Sequence, residues 1–219
     1  MTLCTSDRGD ADIRKTCLQL LLAYGANIHA VNASGDTALH LVAQGEGLIG
    51  LMTSLVTAGT DVNAAGYMSF TPLHWSAVRG FIPGIVLLLG AGAEVNALND
   101  YSSTPLDLAI RGAQESTADA PFNSTNQHRV YPKLLRAGGT WNTIAQEEFP
   151  GAPYLAKVRA AGGFENYRRL HLDKLTMMFA PAPPVSARHR RSQRLTPFQR
   201  LPLELVRRVM EFWVHAGVY

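Results

Sequence analysis

The sequence has few of the features that mark secreted or membrane-spanning proteins. Its two cysteines, Cys4 and Cys17, cannot make a disulfide framework, so we expect a reducing compartment, the cytoplasm or the nucleus. Cys17 is expected to be a small buried hydrophobic side chain on a helix. The longest apolar stretch, residues 81–95, is interrupted by Pro83 and three glycines and is too short to span a bilayer. We therefore expect no association with a membrane.

Catalytic and metal-binding patterns are also missing from the sequence. No His–His, Cys–His or His–carboxylate spacing suits a zinc site, and no nucleophile has a recognisable base arranged with it. The glycine-containing run at residues 90–93 lacks the Lys-Ser/Thr pair that a phosphate-binding loop requires. The sequence therefore predicts a non-enzymatic protein with no cofactor and no metal.

Charge is distributed unevenly along the chain. Residues 157–208 hold 12 of the 20 Lys and Arg residues but only 3 of the 17 Asp and Glu residues, a local balance of +9. The remaining residues carry −6, which gives the net charge of +3. An acidic body and a basic C-terminal third are therefore predicted. The basic third leaves nucleic-acid binding open as an alternative function.

Two short blocks recur along the chain at a nearly constant step of 33 or 34 residues. The first block reads Thr-(Ala/Pro)-Leu-(His/Asp), and its copies begin at Thr37, Thr71 and Thr104. The second block starts with glycine and ends with alanine, and its copies begin at Gly25, Gly59 and Gly92. Short apolar segments lie between the blocks. Repetition at one period predicts a stack of similar units, each too small to bury its apolar face alone.

The residues of both blocks suit the ends of helices. Each block threonine is placed as a helix N-cap, and Pro72 and Pro105 take first helical positions, where proline loses no hydrogen bond. Gly59 and Gly92 follow the second helix of their units and can end it in a left-handed conformation. The apolar positions that we expect to face a neighbouring unit are Leu39, Leu41 and Val42, and then Leu73, Trp75 and Ala77.

These blocks resemble the ankyrin repeat, a family with the pattern Thr-Pro-Leu-His-x-Ala, two antiparallel helices and a projecting β-hairpin turn. The resemblance implies an all-α solenoid with short β-hairpin turns. It also implies that His40 and His74 tie neighbouring loops together by hydrogen bonds, with Asp107 in their place in the last repeat. The predicted ankyrin-repeat domain covers residues 1–141, with a partial repeat at 10–31 containing a helix at Ile13–Tyr24, full repeats at 32–65, 66–98 and 99–141, and an inserted polar loop at 113–127.

Binding in this family uses variable positions on the hairpin tips and the concave face. The equivalent positions, which we expect to bind a protein partner, are Ala33, Ser34, Asp36, Gln44, Tyr67, Met68, Phe70, Val78, Arg79, Asp100, Tyr101, Ser103 and Arg111. Tyr67, Met68 and Phe70 place aromatic and Met side chains, which anchor many interfaces, where consensus loops are polar. The alternative is that these three side chains pack against the adjoining hairpin or the inserted loop.

Residues 142–180 are predicted to form a helical extension, with helices at Tyr154–Ala161 and Phe164–Phe179. The apolar stripe of the second helix is predicted at Phe164, Tyr167, Leu170 or His171, Leu175, Met178 and Phe179. We expect this stripe to cap the solenoid, and an exposed docking helix is the alternative. Residues 181–200 read as a Pro/Arg-rich linker, in which Arg188–Arg194 is either a solvated tether or a nuclear-import signal.

Residues 201–219 are predicted to form an amphipathic C-terminal helix. Its opening Leu-Pro-x-Glu-Leu resembles the first helix of an F-box, and ankyrin proteins with a short F-box-like or SOCS-box-like tail are a known architecture. The resemblance implies docking to a ubiquitin-ligase adaptor through Leu201, Pro202, Leu205, Val206, Val209, Phe212 and Trp213. The alternative is that the helix folds back on the solenoid.

The sequence as a whole favours a non-enzymatic scaffold that binds a protein partner through its hairpin tips and concave face. A substrate adaptor of a cullin-type ubiquitin ligase is the first alternative, because of the C-terminal residues. A nucleic-acid-associated regulator is the second, because of the basic C-terminal third.

Overall fold

The structure of the chain is a computed structural model, and it divides into two compact units, residues 1–152 and 153–219. The backbone is described for residues 6–45, 48–115, 124–141 and 152–179. Side chains are described for residues 13–45, 48–112, 130–141 and 153–173. The linker and the C-terminal helix predicted beyond residue 180 lie outside the described residues.

The first unit is a stack of helix pairs, as the repeat pattern predicts. Its helices are α1 (Ser6–Ala23), α2 (Ala38–Ala43), α3 (Ile49–Thr57), α4 (Pro72–Val78), α5 (Ile82–Gly90), α6 (Pro105–Glu115) and α7 (Ser124–Arg136). Within a repeat α2 packs on α3, α4 on α5 and α6 on α7, and each helix also contacts its equivalent in the next repeat. The predicted all-α solenoid is confirmed.

The helix ends carry the capping residues that the blocks predict. The Thr71 hydroxyl accepts from the amide of His74 (3.5 Å), and the Thr104 hydroxyl accepts from the amide of Asp107 (3.1 Å). Gly59, with φ 89°, ends its helix in the left-handed region, where a side chain would be strained. Sequence position and backbone conformation therefore agree at both ends of a repeat.

The hairpin turns are shorter than a β-ladder. In each one, a single backbone bond joins residues four apart: Asn32 to Asp36 (3.0 Å), Gly66 to Phe70 (2.9 Å) and Asn99 to Ser103 (3.2 Å). Within the described stretches, the extended pairing amounts to one isolated bridge between Val31 and Thr37. The turns predicted as β-hairpins are thus tight tips that project from the helix pairs.

The core runs through the stack between the helix layers. Its fully buried side chains include Leu39, Met52, Leu73, Ile85, Leu88, Leu106, Ile110, Tyr131 and Leu134. Leu39, Leu73 and Ala77 are buried, which agrees with the prediction that they face neighbouring units, whereas Val42 and Trp75 are half-buried. The prediction for Leu41 is wrong, since this side chain is exposed on α2.

The N-terminal helix also differs from its prediction. It begins at Ser6 and not at Ile13, and it ends at Ala23. Cys17 is exposed on this helix, so the prediction that it is buried is wrong. Burial of Cys17 would require another helix packed on its side of α1. Within residues 6–45, α1 is the one helix that precedes α2.

The extra residues of the last repeat lengthen its two helices. The helix α6 has 11 residues and α7 has 13, whereas α4 has 7 and α5 has 9. The loop predicted at residues 113–127 is therefore too long, because helix covers both of its ends. Residues 116–123, between the two helices, lie outside the described part.

In the second unit the structure describes α8 (Ala152–Ala160) and α9 (Phe164–Phe179). Gly162 and Gly163 separate them with positive φ values of 76° and 115°, as the Gly-Gly pair predicts. The rings of Tyr154 and Tyr167 meet edge to face at 5.6 Å, and Tyr167 stacks on His171 at 5.7 Å. Buried aliphatic side chains complete this small core: Leu155, Val158 and Leu172.

The stripe predicted for α9 passes through His171 and not Leu170, which is exposed. Its remaining members, Leu175, Met178 and Phe179, lie outside the described side chains. That α9 caps the solenoid stays a prediction.

Candidate partner-binding surface

Buried histidines hold successive hairpin loops in place. Nδ1 of His74 accepts from the amide of Thr71 (3.0 Å), so its Nε2 carries the proton and donates to the carbonyl of Ser103 (3.1 Å). Nε2 of His40 lies 3.0 Å from the carbonyl oxygens of both Ala64 and Phe70. Each histidine thus joins its own helix start to the loop of the following repeat, as the family resemblance implies.

Burial also decides the protonation state of His74. Desolvation lowers the pKa of the imidazole below its usual 6.5, and this outweighs the backbone hydrogen bonds that would raise it. A neutral ring suits the geometry, because Nδ1 must keep its lone pair to accept from Thr71. His74 therefore acts as a neutral structural link.

Asp107 replaces the histidine in the last repeat, as predicted. Its Oδ2 accepts from the amide of Thr104 (3.0 Å), which closes a reciprocal cap with the threonine. The link to the next loop passes to the threonine, whose Oγ1 lies 2.9 Å from the carbonyl oxygen of Thr140. The short carboxylate keeps the local cap, and a different residue makes the longer connection.

Two asparagines brace the repeats at the other end of the loops. Asn63 accepts from the amide of Glu94 (2.8 Å) and donates to the carbonyl of Gly92 (3.3 Å). Asn96 accepts from the amide of Thr140 (2.8 Å) and donates to the carbonyl of Gly138 (3.0 Å). Sequence reasoning missed this role, although the recurrence of Asn at one position of the second block was a visible signal.

The tips of the second and third full repeats are in contact through Met68 and Asp100. The amide of Asp100 donates to the carbonyl of Met68 (3.1 Å), and the Ser69 hydroxyl donates to the Asp100 carboxylate (2.5 Å). The Tyr101 hydroxyl donates to the sulfur of Met68 (2.7 Å). Four contacting residues thus belong to two neighbouring loops.

The backbone at this tip is held in an uncommon conformation. Met68 and Ser69 have φ values of 51° and 58°, and Ser102 in the next tip has 53°. Non-glycine residues in the left-handed region cost about 1 kcal/mol or more each, so surrounding bonds must hold them there. Such strain is concentrated at functional sites in many proteins.

Two tyrosines are exposed on these two hydrogen-bonded loops. The side chains of Tyr67 and Tyr101 are 50% and 58% exposed, and Met68 between them is half-buried. We call Tyr67, Met68, Asp100 and Tyr101 the tip surface. Met68 packs on the adjoining hairpin, as the alternative to an interface expects, whereas the tyrosines face solvent. That this tip binds a partner stays a prediction.

Other predicted contact residues have structural roles. Asp36 is buried, and its carboxylate accepts from the amide of Tyr67 (3.0 Å). Ser103 is also buried, and its hydroxyl accepts from the guanidinium of Arg111 (3.3 Å). The ring of Phe70 lies 5.0 Å from that of Trp75. A partner-binding role would require Asp36 and Ser103 to be exposed. That expectation is wrong, because both side chains are buried and hydrogen-bonded within the protein.

The remaining predicted contacts lie at several places around the tip surface. Ala33 and Ser34 are exposed on the first tip, while Gln44, Val78 and Arg79 are half-buried on or beside the first helices of their repeats. Leu201–Trp213, the predicted adaptor-docking segment, lies outside the described residues.

Potential metal ligands are dispersed in the described part of the chain. No three His, Cys, Asp or Glu side chains lie there in a group that could hold a metal ion. Among the same residues, no helix has the length and apolar character needed to cross a membrane.

The fold and these loops define an ankyrin-repeat protein region, and comparison with known families agrees. Residues 11–99 match the family model described as ankyrin repeats, in three copies. These residues are therefore ankyrin repeats, a type of module that typically binds proteins and is not itself catalytic.

Several curated proteins are similar to this chain over part of its length. The chicken (Gallus gallus) nuclear factor NF-kappa-B p105 subunit is 40% identical over 67 residues, which is 30% of this chain and 7% of that protein. The mouse (Mus musculus) ankyrin repeat and SOCS box protein 16 is 34% identical over 128 residues, 58% of this chain and 27% of that protein.

A third relative is the putative E3 ubiquitin-protein ligase XBAT35 of Arabidopsis thaliana. It is 36% identical over 87 residues, 39% of this chain and 19% of that protein. The matches thus span between 7% and 27% of the length of these three relatives.

Proposed function

We propose that this chain is a non-enzymatic scaffold that binds a protein partner through the tip surface, in the cytoplasm or nucleus. The observation that carries the proposal is the pair of exposed tyrosines, Tyr67 and Tyr101, on loops already bonded to each other. Ankyrin repeats bind proteins, and this is the most aromatic part of their described loops.

Preorganisation supports this assignment in energetic terms. A flexible loop loses conformational freedom when it binds, which costs about 0.5–1.5 kcal/mol for each immobilised side chain. The bonds from Met68 to Asp100 and Tyr101 fix the loops before any partner arrives. The tyrosines can then contribute apolar area with little further loss, as buried interface anchors do.

The neighbouring predicted positions define how the surface extends. Ala33 and Ser34 would contact a partner along the row of tips, whereas Val78, Arg79 and Arg111 would contact a segment lying in the concave face. Gln44 continues that inner row in the first full repeat. These contacts surround the aromatic centre and set specificity, as rim residues do in many interfaces.

A photo-crosslinking experiment tests the proposal directly. The full chain carries p-benzoylphenylalanine in place of Tyr101, or in place of Val86, an exposed residue of α5. After irradiation in cell lysate, we expect one protein to be crosslinked to the Tyr101 probe at least about 10-fold more than to the Val86 probe. Equal labelling from both positions would contradict the proposal.

Substitution then separates binding from folding. The Tyr67→Ala/Tyr101→Ala variant should lower capture of that protein by about 10-fold or more. Its unfolding free energy should change by less than about 1 kcal/mol, because exposed side chains contribute little to stability. The Val86→Ala variant is the control and should bind like the wild type. Retained capture by the double variant would count against the tip surface.

A second candidate function is substrate recognition for a ubiquitin ligase. One support is that 58% of this chain's length aligns with an ankyrin repeat and SOCS box protein. The other is the Leu-Pro-x-Glu-Leu sequence that begins at Leu201. We expect cullin-ligase components to co-purify with the full chain and to be lost with the Leu205→Glu/Trp213→Glu variant. The Tyr67→Ala/Tyr101→Ala variant should retain them. Absence of such components from the wild-type sample would dismiss this function.

A further inference from the structure

Three successive loops of the stack expose an apolar side chain at the same position. The residues are Val31, Ala65 and Leu98, each of which lies six residues before the capping threonine of its repeat. Val31 and Leu98 are 61% and 56% exposed, and Ala65 is exposed as well. Each loop lies between two described units of the stack, so this exposure does not depend on an end of the chain. We call these three residues the loop row.

Hydrogen bonds between neighbouring loops keep the row in register. The Asp36 carboxylate of the first loop accepts from the amide of Tyr67 in the second (3.0 Å). The Met68 carbonyl of the second loop accepts from the amide of Asp100 in the third (3.1 Å). Equivalent residues of stacked repeats recur about 10 Å apart, the packing distance of neighbouring helices. The row therefore extends over about 20 Å, and the exposed rings of the tip surface belong to the same loops.

The repeats around these loops have almost no basic side chains. Between residues 16 and 110 the sequence contains six Asp and Glu residues but one Lys or Arg, which is Arg79 at the far end of α4. Asp36 and Asp107 are buried. The described acidic residues that remain exposed all lie in the loops, and they are Asp61, Glu94 and Asp100. The loops are therefore the negatively charged side of the repeats.

The protein does not neutralise this charge. Among the described side chains, no Lys or Arg pairs with any of the three exposed carboxylates. The Asp61 carboxylate accepts from the amide of Asn63 (2.9 Å), and that of Asp100 accepts from the Ser69 hydroxyl (2.5 Å), and both donors are neutral. A partner that carries Lys or Arg beside large apolar side chains complements both the charge and the apolar row.

We propose that the loop row, next to the tip surface, binds a cationic segment of the partner in which large apolar side chains alternate with Lys and Arg. The proposal rests on the proposed scaffold function and specifies the chemistry of the partner. The apolar side chains cover Val31 and Leu98, and the basic groups lie over Asp61 and Glu94. A second copy of the same face would bring like charges together, and nucleic-acid phosphates would be repelled for the same reason.

Peptide phage display with the full chain as bait tests the chemistry of the partner. A library of random 12-residue peptides suits the row, because such a segment reaches about 18 Å as a helix and further when extended. We expect the enriched peptides to carry a net charge of about +3, matching the three carboxylates, together with large apolar residues. Enriched peptides without an excess of Lys and Arg would overturn the proposal and assign the face to an uncharged partner. A bait that enriches no peptide would overturn it too.

Fluorescence anisotropy with the most enriched peptide then tests the charged contacts. Asp61→Asn/Glu94→Gln should raise its Kd about 5-fold or more, because two ion pairs are lost while the Asn63 amide keeps its acceptor. Thr53→Lys/Thr57→Lys, at exposed positions of α3, changes the net charge by the same amount. It should leave the Kd within about twofold, since distant surface charges are screened. Equal weakening by the two variants would indicate a general charge effect and contradict the proposal.

The apolar contacts are tested by one loss and one gain. Leu98→Asn should raise the Kd about 5-fold or more, whereas Val86→Asn, at an exposed position of α5, should not change it. Ala65→Leu should lower the Kd about threefold or more, because it adds apolar area to the row. A misfolded variant would not bind more tightly, and circular dichroism checks the fold of the others. Unchanged binding by both Leu98→Asn and Ala65→Leu would rule out the loop row.

The Tyr67→Ala/Tyr101→Ala variant separates this proposal from the scaffold function on which it rests. Peptides that are not cationic but are lost in this variant would leave the tip surface as a binding site and overturn the cationic partner alone. Cationic peptides that bind this variant normally but are lost in Asp61→Asn/Glu94→Gln would support the loop row and contradict the role of the tyrosines.

Discussion

The inner repeats and the N-terminal partial repeat share one sequence pattern but differ in the bonds between units. His74 links its repeat to the Ser103 carbonyl, and the side chains of Asn63 and Asn96 make two and three hydrogen bonds to the next unit, respectively. In the partial repeat, His29 stands at the position of these asparagines. Among the described residues, its side chain makes no corresponding bond to the next unit, and its amide is paired locally with Asn27 (2.9 Å).

Packing differs in the same direction as bonding. In the last full repeat, every residue from Ser103 to Ile110 is buried. In α1, the side chains described from Ile13 onward are exposed, apart from the half-buried Leu18 and Leu22. A repeat stack is stabilised by each unit and by each junction. We therefore expect the N-terminal junction to open at a lower free energy than the inner ones.

The largest difference in unfolding free energy is expected between two alanine variants, one at His74 and one at His29. His74→Ala leaves the buried Thr71 amide without its partner, removes one of the two hydrogen bonds to the Ser103 carbonyl and creates a cavity, which should cost about 3 kcal/mol of unfolding free energy. His29→Ala, at an exposed position, should cost less than about 0.5 kcal/mol. Urea denaturation of both variants measures the difference. Equal losses would show that the two junctions are held alike.

Acid should weaken the inner junction through the same histidine. The pKa of His74 is lowered by burial in the folded protein, whereas the unfolded chain has the ordinary value of 6.5. The unfolded state therefore binds the proton more readily, and stability is fully present above pH 6.5 and falls as the pH drops below it. At pH 6.0 the loss from this group is at most about 0.8 kcal/mol.

The His74→Ala variant supplies the control for this titration. Its unfolding free energy, measured between pH 7.5 and pH 5.5, should fall less steeply than that of the wild type because the titrating group has been removed. Parallel curves for the two proteins would show that His74 does not contribute to the acid sensitivity.

The sequence predicted the framework of the repeats better than it predicted their surface. The threonine caps and His74 were recognisable because a fixed role recurs at a fixed spacing. The left-handed backbone at Met68 and Ser69 was not, since neither is the glycine or asparagine that usually signals such a turn. Burial of Asp36 was missed because its acceptor role depends on the loop of the next repeat.

Position in the stack explains the other errors. Cys17 and Leu41 have residue types and spacings that predict burial, and the same block position is buried at Leu108. Local pattern cannot report whether a neighbouring unit is present to cover a side chain. The exposure of Cys17 and Leu41 therefore became visible only in three dimensions.

The smallest effect is expected from giving the N-terminal junction the brace of the inner ones. His29→Asn places an asparagine where Asn63 and Asn96 lie in their blocks, within reach of the Gly59 carbonyl and the Asp61 amide by equivalence with Gly92 and Glu94. Two exposed hydrogen bonds should raise the unfolding free energy by about 0.5 kcal/mol. Hydrogen exchange should slow at the amides of α1 in particular. Slower exchange in α7 without any change in α1 would mean that the brace acts elsewhere, and the contrast between the two junctions would then need another cause.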